Sequence, residues 1–122
     1  MSTEGKATGS TGERVATRIL QQKGYEILET NYHAGRWGEI DIVAQDGDTI
    51  VFVEVKTRRD ASCGLPEESV TPGKLKKLTL AAEHYLLRHH LIDQAWRLDV
   101  VALGLKADNS IDYQNHLQNV TM

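Results

Sequence analysis

The sequence of 122 residues predicts an α/β fold in which helices flank one mixed β-sheet. Apolar residues recur at helical spacing in two segments, residues 12–23 and a segment that starts at residue 72. Segments rich in β-branched or aromatic residues, or with alternating polarity, predict five strands: 25–32, 39–44, 49–57, 95–103 and 111–116. The predicted order is therefore α-β-β-β-α-β-β.

The composition indicates one folded domain, since hydrophobic residues make up 40% of the chain and charged residues 25%. No run reaches the ~18 apolar residues that a membrane span needs, and no apolar segment follows Met1 as it would in a signal peptide. Cys63 is the single cysteine, which excludes an internal disulfide framework and a multi-cysteine zinc site. We expect a cytoplasmic protein with no membrane partner.

The charges are unevenly distributed along the chain. The formal net charge of -3 argues against a nucleic-acid partner when it is taken as a total. However, residues 56–90 have a net charge of +3, whereas residues 1–55 and 91–122 have -4 and -2. Because electrostatic fields act locally at physiological salt, the positive middle third leaves nucleic acid as a candidate partner.

The first predicted helix places a charge beside an apolar stripe. Residues 1–11 are small, polar and rich in glycine, so we expect a disordered N-terminal arm before the domain of residues 12–122. The helix is predicted from Gly12 to Lys23, and Gly24 can end it. Glu13 lies in the first turn at the edge of the apolar stripe, an unusual place for a charge that binds nothing.

The hairpin between the second and third strands brings charged residues onto one face. Side chains on a strand alternate, so Glu54 and Lys56 share a face. A two-residue loop at Gly47–Asp48 sets Asp41 opposite Glu54, and a loop at Asp46–Gly47 sets Asp41 diagonal to Glu54. Asp41 shares the face in both registers, whereas a three-residue loop would separate it from the other two residues.

The chemistry of this charged face has two interpretations. The same face carries three apolar residues, Val43, Ile50 and Phe52. Asp41 and Glu54 are then partly buried like charges, which repel unless a proton or a cation neutralises them. Lys56 can neutralise one carboxylate, and a divalent Mg²⁺ or Mn²⁺ ion, which prefers oxygen ligands, can neutralise both. Taken alone, the hairpin favours the alternative of a structural salt bridge from Lys56 to Glu54 or Glu39.

The positive middle third contains the candidate nucleic-acid contacts. Residues 58–70 lack periodicity and predict a mobile or functional loop, after which Thr71 caps the second helix. Basic residues and His84 lie along one face of the second helix at helical spacing, with Ala81 in the middle of the row. They form a positive stripe that fits either phosphate contacts or an ordinary solvated surface. The candidate nucleic-acid-binding residues are Arg58, Arg59, Lys74, Lys77 and Arg88.

Other residues carry weaker signals. Arg36 and Trp37, at the turn before the second strand, fit contacts with a base or a phosphate, but a packing role is the more common one for a tryptophan at a turn. Arg97 and Asp99 share a strand face and are expected to brace it. His116 stands alone in the sequence and suggests no site.

Four segments together resemble a known family. They are Gly12–Glu13 at the start of a helix, Gly38–Val43, Val51–Arg58 and Arg97–Val101. This combination resembles the PD-(D/E)xK nuclease-like superfamily and, more closely, the YraN-like family of small bacterial proteins. The resemblance implies a restriction endonuclease-like αβββαβ core with a site at one edge of the sheet.

The resemblance also implies roles for individual residues. Asp41 and Glu54 would be catalytic metal ligands for Mg²⁺ or Mn²⁺, Glu13 a third acidic ligand, and Lys56 the catalytic residue that orients the attacking water. The implied activity is hydrolysis of phosphodiester bonds in DNA, including branched DNA, by a protein that resolvase-like relatives suggest is a homodimer. The alternative is a non-catalytic module that keeps the fold and binds nucleic acid or protein.

Overall fold

The computed structural model describes residues 3–59 and 64–120, which form two helices, five strands and two short 3₁₀ turns. The predicted order α-β-β-β-α-β-β is confirmed. The helices and strands are α1 (Thr3–Gln22), β1 (Glu26–His33), β2 (Glu39–Asp46), β3 (Thr49–Arg58), α2 (Pro72–Arg88), β4 (Trp96–Leu105) and β5 (Ile111–Leu117). The 3₁₀ turns are Gly35–Trp37 and Pro66–Ser69.

The strands form one mixed sheet in the order β1-β2-β3-β4-β5. Pairing between β3 and β4 is parallel, and the other three neighbouring pairs are antiparallel. Parallel neighbours need a crossover connection, which α2 supplies here. The predicted α/β class with a mixed sheet and flanking helices is confirmed, and the architecture is compatible with a restriction endonuclease-like core.

Each face of the sheet is covered by one helix. On one face, α1 packs through residues such as Ala16 and Leu20 against Val51 and Val53. On the other face, α2 packs through residues such as Tyr85 against a cluster that includes Val43, Ile50, Phe52 and Leu98. A sheet that is buried on both faces explains why β3 is apolar at almost every position up to Val53. None of the helices within residues 3–59 and 64–120 has the length and apolarity to cross a membrane.

The N-terminal boundary of α1 differs from the prediction. Residues 1–11 are expected from the sequence to be a disordered arm, but α1 begins at Thr3, and its backbone is helical through Thr3–Thr11. Adding a residue to an existing helix is far easier than nucleating one, and no proline interrupts this segment. Residues 1 and 2 lie outside the described residues.

The segment predicted as a loop over residues 58–70 is partly ordered. Strand β3 continues through Arg58, and Pro66–Ser69 forms a 3₁₀ turn whose Pro66 is buried. The sequence lacks periodicity here because a single short turn is too brief to show any. Residues 60–63, which include Cys63, lie outside the described residues.

The register of the β2–β3 hairpin follows the first of the two predicted alternatives. Asp46 pairs with Thr49 across a two-residue loop at Gly47–Asp48, and Ile42 pairs with Val53. Gly47, the first residue of this loop, has a φ of 59°, as the first central position of a type II′ hairpin turn requires. Asp41 and Glu54 are therefore the next positions on the two strands.

Helix α1 approaches β3 most closely at Gly12. A Cβ atom added at Gly12 would lie 1.9 Å from the Thr57 Oγ1 atom and 3.0 Å from the Thr57 Cβ atom. Only glycine fits at this distance, and the close approach brings the following residue, Glu13, to the end of β3. By contrast, a Cβ atom added at the exposed Gly9 would have nothing within 4 Å.

These two glycines provide a matched test of the close approach. We expect Gly12→Ala to lower the free energy of unfolding by about 1–3 kcal/mol, because the overlap with Thr57 outweighs the gain in helix propensity. Gly9→Ala, in the same helix, should instead raise it by up to ~1 kcal/mol. Urea denaturation measures both values. Addition of Thr57→Ala should restore most of the stability of Gly12→Ala, and a Gly12→Ala protein as stable as wild type would contradict the packing described.

Candidate active site

The site begins where β2 and β3 stop pairing with each other. Their backbone ladder ends at Ile42 and Val53, and beyond it the Asp41 carboxylate accepts a hydrogen bond of 2.8 Å from the Val55 N–H group. A side chain thus takes the place of a strand carbonyl. This hydrogen bond gives the Val55 N–H group a partner that it would otherwise lack, and it holds the Asp41 carboxylate between the two strands.

Glu54 and Lys56 lie on the α2 side of this opening. The Lys56 Nζ and Glu54 Oε1 atoms are 3.6 Å apart, and both side chains are largely buried, with 27% and 18% of their surface exposed. Together they form the floor of a cleft whose walls come from the turn before β2 and from the first turns of α2. The other lining residues are Trp37, Gly38, Glu39, Lys74, Lys77 and Leu78.

Two more carboxylates lie near Asp41, Glu13 from α1 and Glu39 from the start of β2. Glu13 is close enough to share a hydrogen bond with Asp41, and Glu39 also acts on Asp41 electrostatically. With its amide nitrogen turned toward the acids, Asn31 donates to Glu39 Oε1 at 2.9 Å and to Glu13 Oε1 at 3.2 Å. The structure therefore brings Glu13, Asp41 and Glu54 into one acidic cluster and adds Glu39, which the sequence suggests only as a salt-bridge partner.

Burial raises the pKa values of the carboxyl groups in this acidic cluster. Burial, reinforced by the nearby charge of Asp41, raises the pKa of Glu13 to about 7 and that of Glu54 to about 7. Burial also raises the pKa of Asp41, although the hydrogen bond from Val55 opposes that shift. At neutral pH the cluster therefore holds at least part of a proton, because burial disfavours the charged form and neighbouring carboxylates add repulsion.

The donor set fits a loosely held hard cation better than a closed metal cage. Within residues 3–59 and 64–120, no three His, Cys, Asp or Glu side chains are arranged so that they could hold a metal ion together. Mg²⁺ is usually held by only one or two carboxylates, with water and substrate phosphate completing its octahedron. Asp41 and Glu54 match that smaller requirement, because they offer two neighbouring carboxylates.

The structure separates the five candidate nucleic-acid contacts. Lys74 and Lys77 line the cleft beside Lys56. Arg58 and Arg59 line a different cavity, where Arg59 donates to the carbonyl of Lys106 at 2.8 Å. Only two of the five therefore lie in the cleft with the acidic cluster.

The predicted positive stripe on α2 is interrupted. Ala81, at its middle, is completely buried in the core, and the His84 imidazole is hydrogen-bonded to the Tyr32 hydroxyl at 2.7 Å. Arg88, at the far end, lies close enough to the Tyr32 hydroxyl to influence its pKa. The second half of the stripe therefore packs against β1, so the helix offers Lys74 and Lys77 rather than a continuous row of phosphate contacts.

A buried polar network fastens β5 to β4. Asp99 is 1% exposed, and its carboxylate meets His116 Nε2 at 2.7 Å, Arg97 Nε at 3.0 Å and the Asn119 N–H group at 3.0 Å. The expected bracing by Arg97 and Asp99 is thus present, whereas His116, which suggests no site from sequence alone, is its third member. The signal available in the sequence was a pair of charged residues, Arg97 and Asp99, within an otherwise apolar strand.

The raised pKa of Glu54 predicts a pH dependence of stability. A carboxyl group whose pKa rises from 4.5 to about 7 on folding binds more protons in the folded state, so it lowers stability as pH rises through that interval. Glu54→Gln should therefore raise the free energy of unfolding at pH 8 by about 1–3 kcal/mol and change it little at pH 4. Urea denaturation at both pH values measures the difference. The exposed Glu83→Gln is the control, and equal effects of the two variants would contradict the perturbed site.

Comparisons with known proteins place the chain in a family. The model of the uncharacterised protein family UPF0102 matches residues 12–103. A UPF0102 protein of Geotalea uraniireducens is 42% identical over 95% of this chain and 90% of its own length. One from Syntrophus aciditrophicus is 47% identical over 87% and 83% of the two chains, and one from Pelobacter propionicus is 49% identical over 84% and 74%. The chain therefore belongs to the uncharacterised protein family UPF0102.

Proposed function

We propose that this protein is a metal-dependent nuclease that hydrolyses phosphodiester bonds in DNA, including branched DNA. The observation that carries the proposal is a pair of neighbouring, partly buried carboxylates: Glu54 lies beside Lys56 in a cleft with two further lysines, and Asp41 is held next to it by the Val55 N–H group. Clustered acids with raised pKa values and a neighbouring cation are typical of catalytic sites. The homodimer that the resemblance implies remains a prediction.

Mg²⁺ or Mn²⁺ is the proposed cofactor, held by Asp41 and Glu54, with Glu13 as a third acidic group. When bound, such an ion lowers the pKa of water and offsets the charge that develops on the phosphate. The fit rests on the oxygen donors and on their like charges, which a divalent cation would neutralise.

The remaining roles belong to side chains that are already oriented. The Val55 N–H group fixes the Asp41 carboxylate, so that acid needs little reorganisation on binding. Lys56 faces the cleft, where its ammonium group can orient the attacking water and stabilise negative charge on the phosphate oxygens. Lys74 and Lys77 lie at the other wall of the cleft and would bind the phosphates on either side of the scissile bond.

A non-catalytic binding module with the same fold is the second candidate. The Lys56–Glu54 ion pair supports it, because that contact neutralises Glu54 without any added ion. Under this alternative the acidic cluster is structural, and Lys74 and Lys77 provide binding that needs no metal.

Cleavage assays test the nuclease proposal directly. On a panel of single-stranded, duplex, flap and junction DNA with Mg²⁺ or Mn²⁺, the wild-type protein should cut at least one substrate. Asp41→Asn should lower the cleavage rate by at least ~100-fold, and Lys56→Ala by about 10²–10⁴-fold. Glu83→Gln, on the exposed surface of α2, should cut at the wild-type rate.

The same panel separates the two candidates. If no substrate is cut, or if the Asp41 and Lys56 variants cut as well as wild type, the assigned site is wrong. Salt-sensitive binding that persists in those variants and in EDTA, without any cleavage, would favour the binding module.

Calorimetry tests the metal site without depending on activity. Titration of Mg²⁺ or Mn²⁺ into the wild-type protein should give saturable heat and release protons, since Glu13 and Glu54 have pKa values of about 7. Glu54→Gln should reduce the affinity by at least ~10-fold, because it removes a charged ligand. Glu83→Gln should match wild type, and heat that is identical in all three proteins would count against a site at the acidic cluster.

A further inference from the structure

Trp37 occupies the wall of the cleft that holds Glu54 and Lys56. The indole is only partly buried, with part of it packed on the α2-side core and part of it lining the cleft with Lys74 and Lys77. The part of the indole that lines the cleft lies among Lys56, Lys74 and Lys77, so the cleft combines an aromatic surface with charges that can bind phosphate.

The backbone around Trp37 holds the indole in a fixed position. The residue ends a 3₁₀ turn between two glycines with positive φ, Gly35 at 59° and Gly38 at 92°. Backbone hydrogen bonds close the turn from Ala34 N–H to the Gly38 carbonyl at 2.8 Å and from Trp37 N–H to the Ala34 carbonyl at 3.1 Å. Little conformational entropy would be lost if a ligand bound to the ring.

A planar group already lies against the ring. The Arg36 guanidinium carbon is 4.5 Å from the Trp37 ring centroid, in the arrangement of a cation–π contact. Arg36 is exposed, so its side chain can move away at little cost. The guanidinium therefore occupies a position where a flat aromatic ligand such as a nucleobase could stack, and the released arginine could then bind phosphate.

We propose that Trp37 stacks on an unpaired nucleobase and that the protein selects nucleic acid with a single-stranded segment next to the scissile phosphate. This inference rests on the proposed nuclease function and specifies its substrate class. Bases within a duplex have both faces covered by their neighbours, so only an unpaired or extruded base offers a face to the indole. Stacking on a π-face is tolerant of sequence, so no strong base preference is expected.

Binding measured in EDTA separates stacking from catalysis. The probes are a fluorescent oligo-dT and a blunt hairpin duplex with the same number of phosphates, followed by anisotropy. Trp37→Ala should weaken oligo-dT binding by about 5- to 150-fold and leave duplex binding unchanged. Trp37→Phe, which keeps an aromatic face, should recover a large part of the loss. Lys77→Ala should weaken both probes alike, and Lys76→Ala, on a different side of α2, should weaken neither.

Tryptophan fluorescence gives a second readout that does not require the alanine variant to fold. Oligo-dT should quench the emission of the wild-type protein, and Trp37→Phe should lose that quenching while Trp96 still emits. Equal weakening of both probes by Trp37→Ala, or quenching that persists in Trp37→Phe, would overturn the stacking proposal. A protein that cuts nothing but shows both stacking effects would refute the nuclease function and keep the substrate class as a binding preference.

Discussion

The hydrogen bond from the Val55 N–H group to the Asp41 carboxylate is the contact on which the rest of the site depends. It ends the pairing of β2 with β3 without leaving a buried donor unsatisfied, and it opens a gap between the strands. Through that gap Glu13 reaches Asp41 from the α1 side, while Glu54 and Lys56 face the cleft under α2. A carboxylate in place of a strand carbonyl thus joins the two faces of the sheet in one acidic cluster.

The local parts of this arrangement could be predicted from the sequence. The short loop at Gly47–Asp48 predicts the register that the hairpin adopts as far as Ile42 and Val53, because a hairpin fixes its own register. That register makes Asp41 and Glu54 the next residues along the two strands, although backbone pairing ends before them. Glu13 could be suspected because a charge at the edge of an apolar stripe needs a partner. The order of helices and strands followed from helical periodicity, alternating polarity and β-prone residue types.

What the sequence could not provide were contacts between distant segments. His116 on β5 and Asp99 on β4 are hydrogen-bonded, and the sequence around each residue does not indicate this contact. The stripe on α2 is interrupted because Ala81 is buried in the core and His84 contacts Tyr32 of β1, and helical spacing does not say which neighbour a helix face meets. The start of α1 was misplaced for a different reason, because composition alone does not show how far an anchored helix extends.

The parallel pairing of β3 with β4 also sets the order in which the molecule can be assembled. Strands β1 to β3 can join as local hairpins, but beyond Val53 the strand that pairs with β3 within residues 3–59 and 64–120 is β4, from Glu54 beside Val100 to Arg58 beside Gly104. Strand β4 follows the whole of α2, and closing that long connection is slow compared with forming a hairpin. The segment that carries Glu54 and Lys56 therefore gains a neighbouring strand only when α2 and β4 have joined the sheet.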